Sequence, residues 1–219
     1  MFGEQIVGSL ERFLRIVVRV AWLNCLWIAF TLMGLVFAGV FPATTAAISV
    51  SRKWVQNKED VSVFQTFKKS YKKEFLKSNI IGIVLTFIAA ILFLNYHALL
   101  QFGDQMPVVV VFAYYFIILL YSILVIWIFP LLTHYQSSIK NHFKNAFIIG
   151  ITNLPITLLI SLFIFIIIYI SLEIPSMFIF CTMSLLAIIV SFLSMRVFEK
   201  IDHSNIDMLE QNPTVETNH

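Results

Sequence analysis

Polar residues in two motifs of otherwise apolar stretches could do chemistry. They are Thr44 and Thr45 in GVFPATTAAIS (Gly39–Ser49), and Asn153 and Thr157 in TNLPIT (Thr152–Thr157). Hydroxyl and amide groups can replace the hydration of a small uncharged solute without burying a charge. The same groups also join membrane helices, because small side chains permit close approach and an amide in hydrocarbon must find a partner. Gly39 and Pro42 suit a turn followed by a returning helix with proline in its first turn. Pro155 cannot donate to the carbonyl of Ile151, which predicts a kink. Gly39, Pro42, Thr44, Thr45, Asn153, Pro155 and Thr157 are therefore the candidate helix-contact or solute-lining residues. Asn24, Asn95 and His97 face the same choice between glue and polar site, with His97 placed near an interface.

Other chemistry finds little footing. There is no nucleotide-binding P-loop, no HExxH, no GxSxG and no pair of carboxylates within a predicted site. Ser, His and Asp occur, but nothing brings them together, so no catalytic residue and no cofactor is expected. His134 and His142 are eight apart, with no Cys or acidic companion at ligand spacing, and no metal site is expected. Cys25 and Cys181 lie in hydrophobic stretches, where a thiol behaves as a small apolar residue, and no disulfide is expected.

The elements that must hold these residues follow from composition. Of 219 residues, 59% are hydrophobic and 12% charged, against roughly 25% charged in an ordinary soluble domain; mean hydropathy is +0.89. Too few polar groups remain to coat a soluble fold, which excludes a soluble enzyme or a nucleic-acid-binding domain. Five stretches lack Asp, Glu, Lys and Arg: Val20–Ser51, Ser78–Gly103, the run from Gln105 to the first lysine at Lys140, Asn145–Leu172, and Ile174–Met195. Each exceeds the about 20 residues that cross some 30 Å of hydrocarbon as a helix. The expected fold is an all-α polytopic membrane protein, since an isolated segment in lipid must satisfy its own backbone and no alternating barrel pattern is present.

Charge sets the expected topology. Residues 51–77 hold eight Lys/Arg against Glu59, Asp60 and Glu74, whereas Asp104 and Glu173 are the acidic residues of two short connections. Basic segments favour the cytoplasm, so the N-terminal Arg12, Arg15 and Arg19 should share a side with the lysine-rich segment. That requires the first stretch to turn back at Gly34–Pro42, with Ala21–Val36 outgoing and Pro42–Trp54 returning. The reading is six membrane-entering helices in three hairpins with cytoplasmic termini, the first pair either spanning or re-entrant. Residues 1–198 form one membrane domain, and 199–219 an acidic, partly disordered tail.

Two segments read as interfacial amphipathic helices. In 4–19, Ile6, Leu10, Phe13, Leu14 and Val17 recur at helical period with Arg12, Arg15 and Arg19 off that face; in 61–77, Phe64, Phe67, Tyr71 and Phe75 oppose Lys68, Lys69, Lys72 and Lys73. These basic residues are the expected contacts to anionic lipid headgroups. FLKSNIIGI (Phe75–Ile83) and FKNAFIIGI (Phe143–Ile151) form a faint repeat, each leading from a basic segment into a helix. FPLL at Phe129–Leu132 is expected to end its helix at the interface.

Six pieces in one order carry a family resemblance: FPATTAAI (Phe41–Ile48), RKW (Arg52–Trp54), FKKSYKKEF (Phe67–Phe75), FPLL (Phe129–Leu132), KNAF (Lys144–Phe147) and NLPITLL (Asn153–Leu159). Together they make the chain resemble the YesL-like family of bacterial integral membrane proteins, a domain of unknown function. The family commonly has Gly directly before Pro-Ala-Thr, where this chain has Phe41, with Gly39 two residues earlier. The resemblance implies a small multi-pass protein of the bacterial plasma membrane, often encoded beside carbohydrate ABC importers, and supplies no catalytic residue. The functional expectation is a noncatalytic accessory or regulatory partner of ABC transporter membrane subunits. The alternative is an autonomous transporter or channel for a small, largely uncharged solute, lined by Thr44, Thr45, Asn153 and Thr157.

Overall fold

The computed structural model describes residues 2–56, 62–103 and 106–211, with side chains from Gly8 to Ser204 apart from Arg12. Eight helices follow in chain order among them: α1 (Phe2–Met33), α2 (Val40–Val55), α3 (Val63–Phe102), α4 (Val108–His134), α5 (Ile139–Thr152), α6 (Leu154–Glu173), α7 (Pro175–Phe180) and α8 (Thr182–Gln211). No strand occurs among the described residues. Among the described residues five helical segments are long and apolar enough to cross a membrane: Gly8–Met33, Val63–Phe102, Val108–His134, Leu154–Glu173 and Thr182–Ser204. The chain is a multi-pass membrane protein of the all-α class. The returning arm α2 has 16 residues, roughly 24 Å of helix, short of the about 30 Å of hydrocarbon.

What α2 lacks in length it has in burial. Pro42, Ala43, Thr45, Ala46, Ala47, Ile48, Val50 and Ser51 are all buried, and the helix packs on α1, α3, α4 and α8. Among the small residues of this arm Ala43, Thr45, Ala46 and Ala47 are buried, whereas Thr44 and Ser49 are half-buried. Gly39 lies so near α1 that a Cβ there would stand 2.3 Å from the Thr31 carbonyl oxygen. The Gly34–Gly39 turn is closed with Leu35 and Val36 at positive φ, 55° and 65°.

The structure differs from the sequence reading in four places. The amphipathic segments 4–19 and 61–77 are not separate surface helices. The first is the N-terminal half of the 32-residue α1, and the described part of the second opens the 40-residue α3. No proline separates either from the apolar run that follows, so the hydrogen-bond ladder continues. Pro130 does not end α4, which runs one turn further to His134. α8 continues as helix to Gln211, through the first part of the expected tail; residues 212–219 lie outside the described residues.

Two apolar cores hold the bundle. One joins Leu23 and Leu26 of α1, Ala43, Ala46 and Ala47 of α2 and Phe67 of α3. The other gathers Trp127, Ile128 and Leu131 of α4, Ala146 of α5, Ile160 of α6 and Phe198 of α8. Both repeat glycines seat an aromatic or aliphatic neighbour: a Cβ on Gly82 would meet the Phe41 ring at 2.2 Å, and one on Gly150 would meet Ile123 Cγ2 at 2.2 Å.

Candidate functional site

Thr44, Thr45, Asn153 and Thr157 occupy two separate joints. At the first, Trp27 Nε1 donates to Thr44 Oγ1 (3.1 Å), and the Thr44 hydroxyl donates to the Val40 carbonyl (2.8 Å). Thr45 is fully buried, bonded to the Phe41 carbonyl and to Ser78 of α3 (2.9 Å). At the second, α5 ends at Thr152 and α6 starts at Leu154 with Pro155 in its first turn, which is the kink that proline predicts. Asn153 donates to the Ile149 carbonyl at 3.0 Å. Thr157 accepts from Trp127 Nε1 (2.8 Å) and donates to the Gly150 carbonyl (3.0 Å). These hydroxyls are engaged in holding α2 to α1 and α3, and α6 to α4 and α5.

Asn24 makes a third joint. Its amide nitrogen donates to the Phe178 and Ile179 carbonyls, and its oxygen accepts from the backbone of Met183 (3.0 Å) and Ser184 (3.3 Å). One buried amide thus fastens α1 to α7 and to the start of α8. Asn95 bonds its own helix at Ile91, and His97 packs edge-on to Phe93 at 4.5 Å. Between α1, α2, α4, α6 and α8 lies an apolar cavity of about 250 Å³, walled by Trp27, Ala47, Phe129, Ile164 and Val190, with the predicted lining residue Thr44 on its wall and Thr45, Asn153 and Thr157 outside it. Its walls suit an acyl chain or another apolar group.

Charged chemistry gathers at the opposite kind of place, where α2 and α4 end and α3 begins. Arg52 Nη1 donates to the Thr133 carbonyl, complementing the negative end of α4, and stands 3.5 Å from His134 Nδ1. His134 Nε2 lies 3.1 Å from Asp202 Oδ2, and Tyr135 donates to Asp202 Oδ1 at 2.8 Å. This chain of contacts ties α2 and α4 to α8. Burial and the Asp202 carboxylate push the Tyr135 hydroxyl pKa well up, so it stays a donor. Burial also lowers the Arg52 pKa, although a guanidinium remains protonated.

Beside Arg52 opens a second cavity of about 230 Å³, lined by Arg52, Lys53, Lys69 and Lys73, by hydroxyls of Thr66 and Ser70, and by Glu74. Lys53 Nζ donates to Thr66 Oγ1 at 3.3 Å, and Lys73 lies 3.5 Å from Glu74 Oε1. Lys69 and Lys73, one turn apart, thus share a pocket. Lys68, by contrast, sits over the Phe64 ring at 5.8 Å, and Lys72 is exposed. Arg15 pairs with Glu11 at 2.7 Å within α1; Arg19 lies on the same helix, and the Arg12 side chain lies outside the described ones. Sequence reasoning missed Arg52 and Lys53 as site residues. The signal was present as a basic pair closing a small-residue apolar arm, but only packing shows that it faces the lysines of α3.

His142 is fully buried in α5 with neither ring nitrogen hydrogen-bonded. Burial, then the nearby Lys77, lower its pKa, while Glu74 pulls weakly the other way. No three His, Cys, Asp or Glu side chains gather as a metal site among the described residues.

Comparison with known proteins adds the following. A family profile described as protein of unknown function, DUF624, matches residues 20–96. Three proteins of Bacillus subtilis (strain 168) are similar along most of their length. The uncharacterized protein YesV is 33% identical over 186 residues, 85% of this chain and 89% of that protein. The uncharacterized protein YesL is 32% identical over 199 residues, 91% and 94%, and the uncharacterized protein YteU 36% over 154 residues, 69% of each. No solved structure matches.

Proposed function

As the chain belongs to the DUF624 family of YesL-like membrane proteins, we propose that it is a noncatalytic accessory or regulatory protein that docks laterally against the membrane subunits of a carbohydrate ABC importer. The observation that carries the docking role is a two-helix arm. The buried residues of α3 end at Leu85 and, Tyr114 apart, those of α4 begin at Ile123. Beyond them, the Tyr121 hydroxyl donates to the Leu85 carbonyl (3.1 Å) and the Tyr114 hydroxyl to the Leu92 carbonyl (3.0 Å), linking two helices whose other faces are open. Phe87, Leu94, Val109 and Phe112 are 67%, 68%, 77% and 72% exposed. An arm that stands apart from its own bundle offers two apolar faces to another membrane protein, where van der Waals packing drives association. The choice of a carbohydrate importer rests on what the YesL-like resemblance implies.

The solute-conduit reading gains less from the geometry, because Thr44, Thr45, Asn153 and Thr157 lie at two joints and spend their hydroxyls and amide on helix contacts. The plasma membrane, with both termini and the lysine-rich segment on the cytoplasmic side, is the proposed location and orientation. Single cysteines at positions 8 and 60 then label from the cytoplasmic face, and those at 104 and 173 from outside.

The experiment is detergent extraction of a tagged chain at native expression, with photocrosslinkers at Phe87, Leu94 and Phe112. Crosslinks to an importer's membrane subunits, and sugar uptake that falls on deletion, support the proposal. Uptake unchanged on deletion, together with no transporter association, overturns it. Flux of an uncharged solute by the purified chain in proteoliposomes moves the assignment to a conduit.

A further inference from the structure

Buried polar atoms that find no protein partner concentrate at one end of this molecule. Among the described residues they are Ser51 Oγ, Arg52 Nε, Trp54 Nε1, Ser137 Oγ and both ring nitrogens of His142, with Thr31 Oγ1 apart from them. Buried polar groups are nearly always satisfied, and of these residues Arg52 is the one that also lines a cavity. The cavity of about 230 Å³ lies at that end.

We propose that this cavity binds a phosphate group, held by Arg52 and Lys53 of α2 and by Lys69 and Lys73 of α3. Among the described residues one carboxylate, Glu74, lines the cavity with these cations, and its Oε1 is already shared with Lys73. Arg52 is set in place by the Thr133 carbonyl through Nη1, leaving Nε without a protein acceptor. Thr66 and Ser70 add hydroxyl donors one turn apart on the same wall. A guanidinium, several ammonium groups and two hydroxyls supply more donors than the two oxygens of a carboxylate use, and match the three or four oxygens of a phosphate. The site sits on the part of α3 that precedes its uncharged run from Ser78, the depth at which lysines reach lipid phosphates. The phosphate belongs to an anionic phospholipid headgroup or to a soluble phosphate, and the chemistry of recognition is the same. The inference stands apart from the importer proposal, since it needs no partner protein.

The test uses the full-length chain purified in detergent. Native mass spectrometry reads retention of phosphatidylglycerol against phosphatidylcholine, and calorimetry reads titration with inorganic phosphate. The decisive variant is Lys69→Gln with Lys73→Gln, both at exposed positions, compared with Lys140→Gln and Lys144→Gln, which remove the same charge at exposed positions of α5 outside the cavity. Arg52→Gln is a third variant. The proposal expects a loss of at least about tenfold in binding for the cavity pair and for Arg52→Gln, with the control pair within about threefold of the parent chain. Retention of phosphatidylglycerol without phosphate binding assigns the site to a headgroup; phosphate binding that displaces the lipid assigns it to a soluble ligand. Equal losses in the two lysine pairs, or no binding of either probe, overturn the proposal.

Discussion

Trp127 and Thr157 share a buried hydrogen bond of 2.8 Å from the indole Nε1 to the threonine hydroxyl, and through it the kinked α5–α6 unit is locked to α4. Both residues are almost fully buried, and the same hydroxyl donates to the carbonyl of Gly150, seven residues earlier across the kink.

Removing that hydroxyl leaves a buried indole donor unsatisfied. Thr157→Val is expected to destabilise the protein by about 1–3 kcal/mol, read as a lower midpoint of thermal unfolding in detergent. Thr157→Ser keeps the hydroxyl and should recover most of the loss. A Thr157→Val midpoint equal to the parent would show that the bond contributes nothing net.

The approach of α2 to α1 depends on Gly39. Its missing Cβ would lie 2.3 Å from the Thr31 carbonyl oxygen and 2.8 Å from the Thr31 Cα, both backbone atoms that no rotamer change can move aside. Gly39→Ala should destabilise by roughly 1–3 kcal/mol as overpacking. Trimming a neighbouring side chain should not rescue it, whereas Gly82→Ala, whose obstacle is the Phe41 ring, should be partly rescued by Phe41→Leu.

The turn between these helices carries the opposite opportunity. Val36 has φ of 65°, a conformation a β-branched residue adopts at a cost, and is about half exposed. Val36→Gly relieves that cost and is expected to stabilise by about 1 kcal/mol, raising the unfolding midpoint. A lowered midpoint would show that Val36 packing outweighs the backbone term.

His142 makes stability depend on pH. Its folded pKa lies below the ordinary value of 6.5 because burial and Lys77 disfavour the imidazolium. The unfolded chain therefore binds the proton more readily, and stability is fully present above about pH 6.5 and falls as pH drops below it. His142→Leu removes both the titration and two unbonded buried nitrogens, so its midpoint should change less between pH 7.5 and 5.5 than that of the parent. Identical slopes would assign the pH dependence elsewhere.

Much of this architecture is legible along the chain, for reasons that are local. Uncharged runs of about 20 residues or more must form helices in lipid, because each backbone group has to be satisfied within its own segment. The kink follows from Pro155, which lacks an N–H, and the return of the first stretch follows from Gly34, Gly39 and Pro42, which permit close approach and start a helix. The basic end follows from charge segregation alone. What the sequence left open was decided by packing between residues far apart in the chain. Periodicity cannot say where an amphipathic helix stops when no breaker divides it from an apolar run, and so α1 and α3 are longer than their polar patterns imply. Thr44, Thr45, Asn153 and Thr157 share a chemistry, yet Trp27, Ser78 and Trp127 decide that they occupy two joints, since hydroxyls in a dry interior bond to whichever helix lies against them. Arg52 and Lys53 face Lys69 and Lys73 because α2 packs along α3 with the Thr45–Ser78 and Lys53–Thr66 contacts setting their register. A one-dimensional charge pattern records how many cations share an end of the protein, and only the tertiary structure decides which of them surround one cavity.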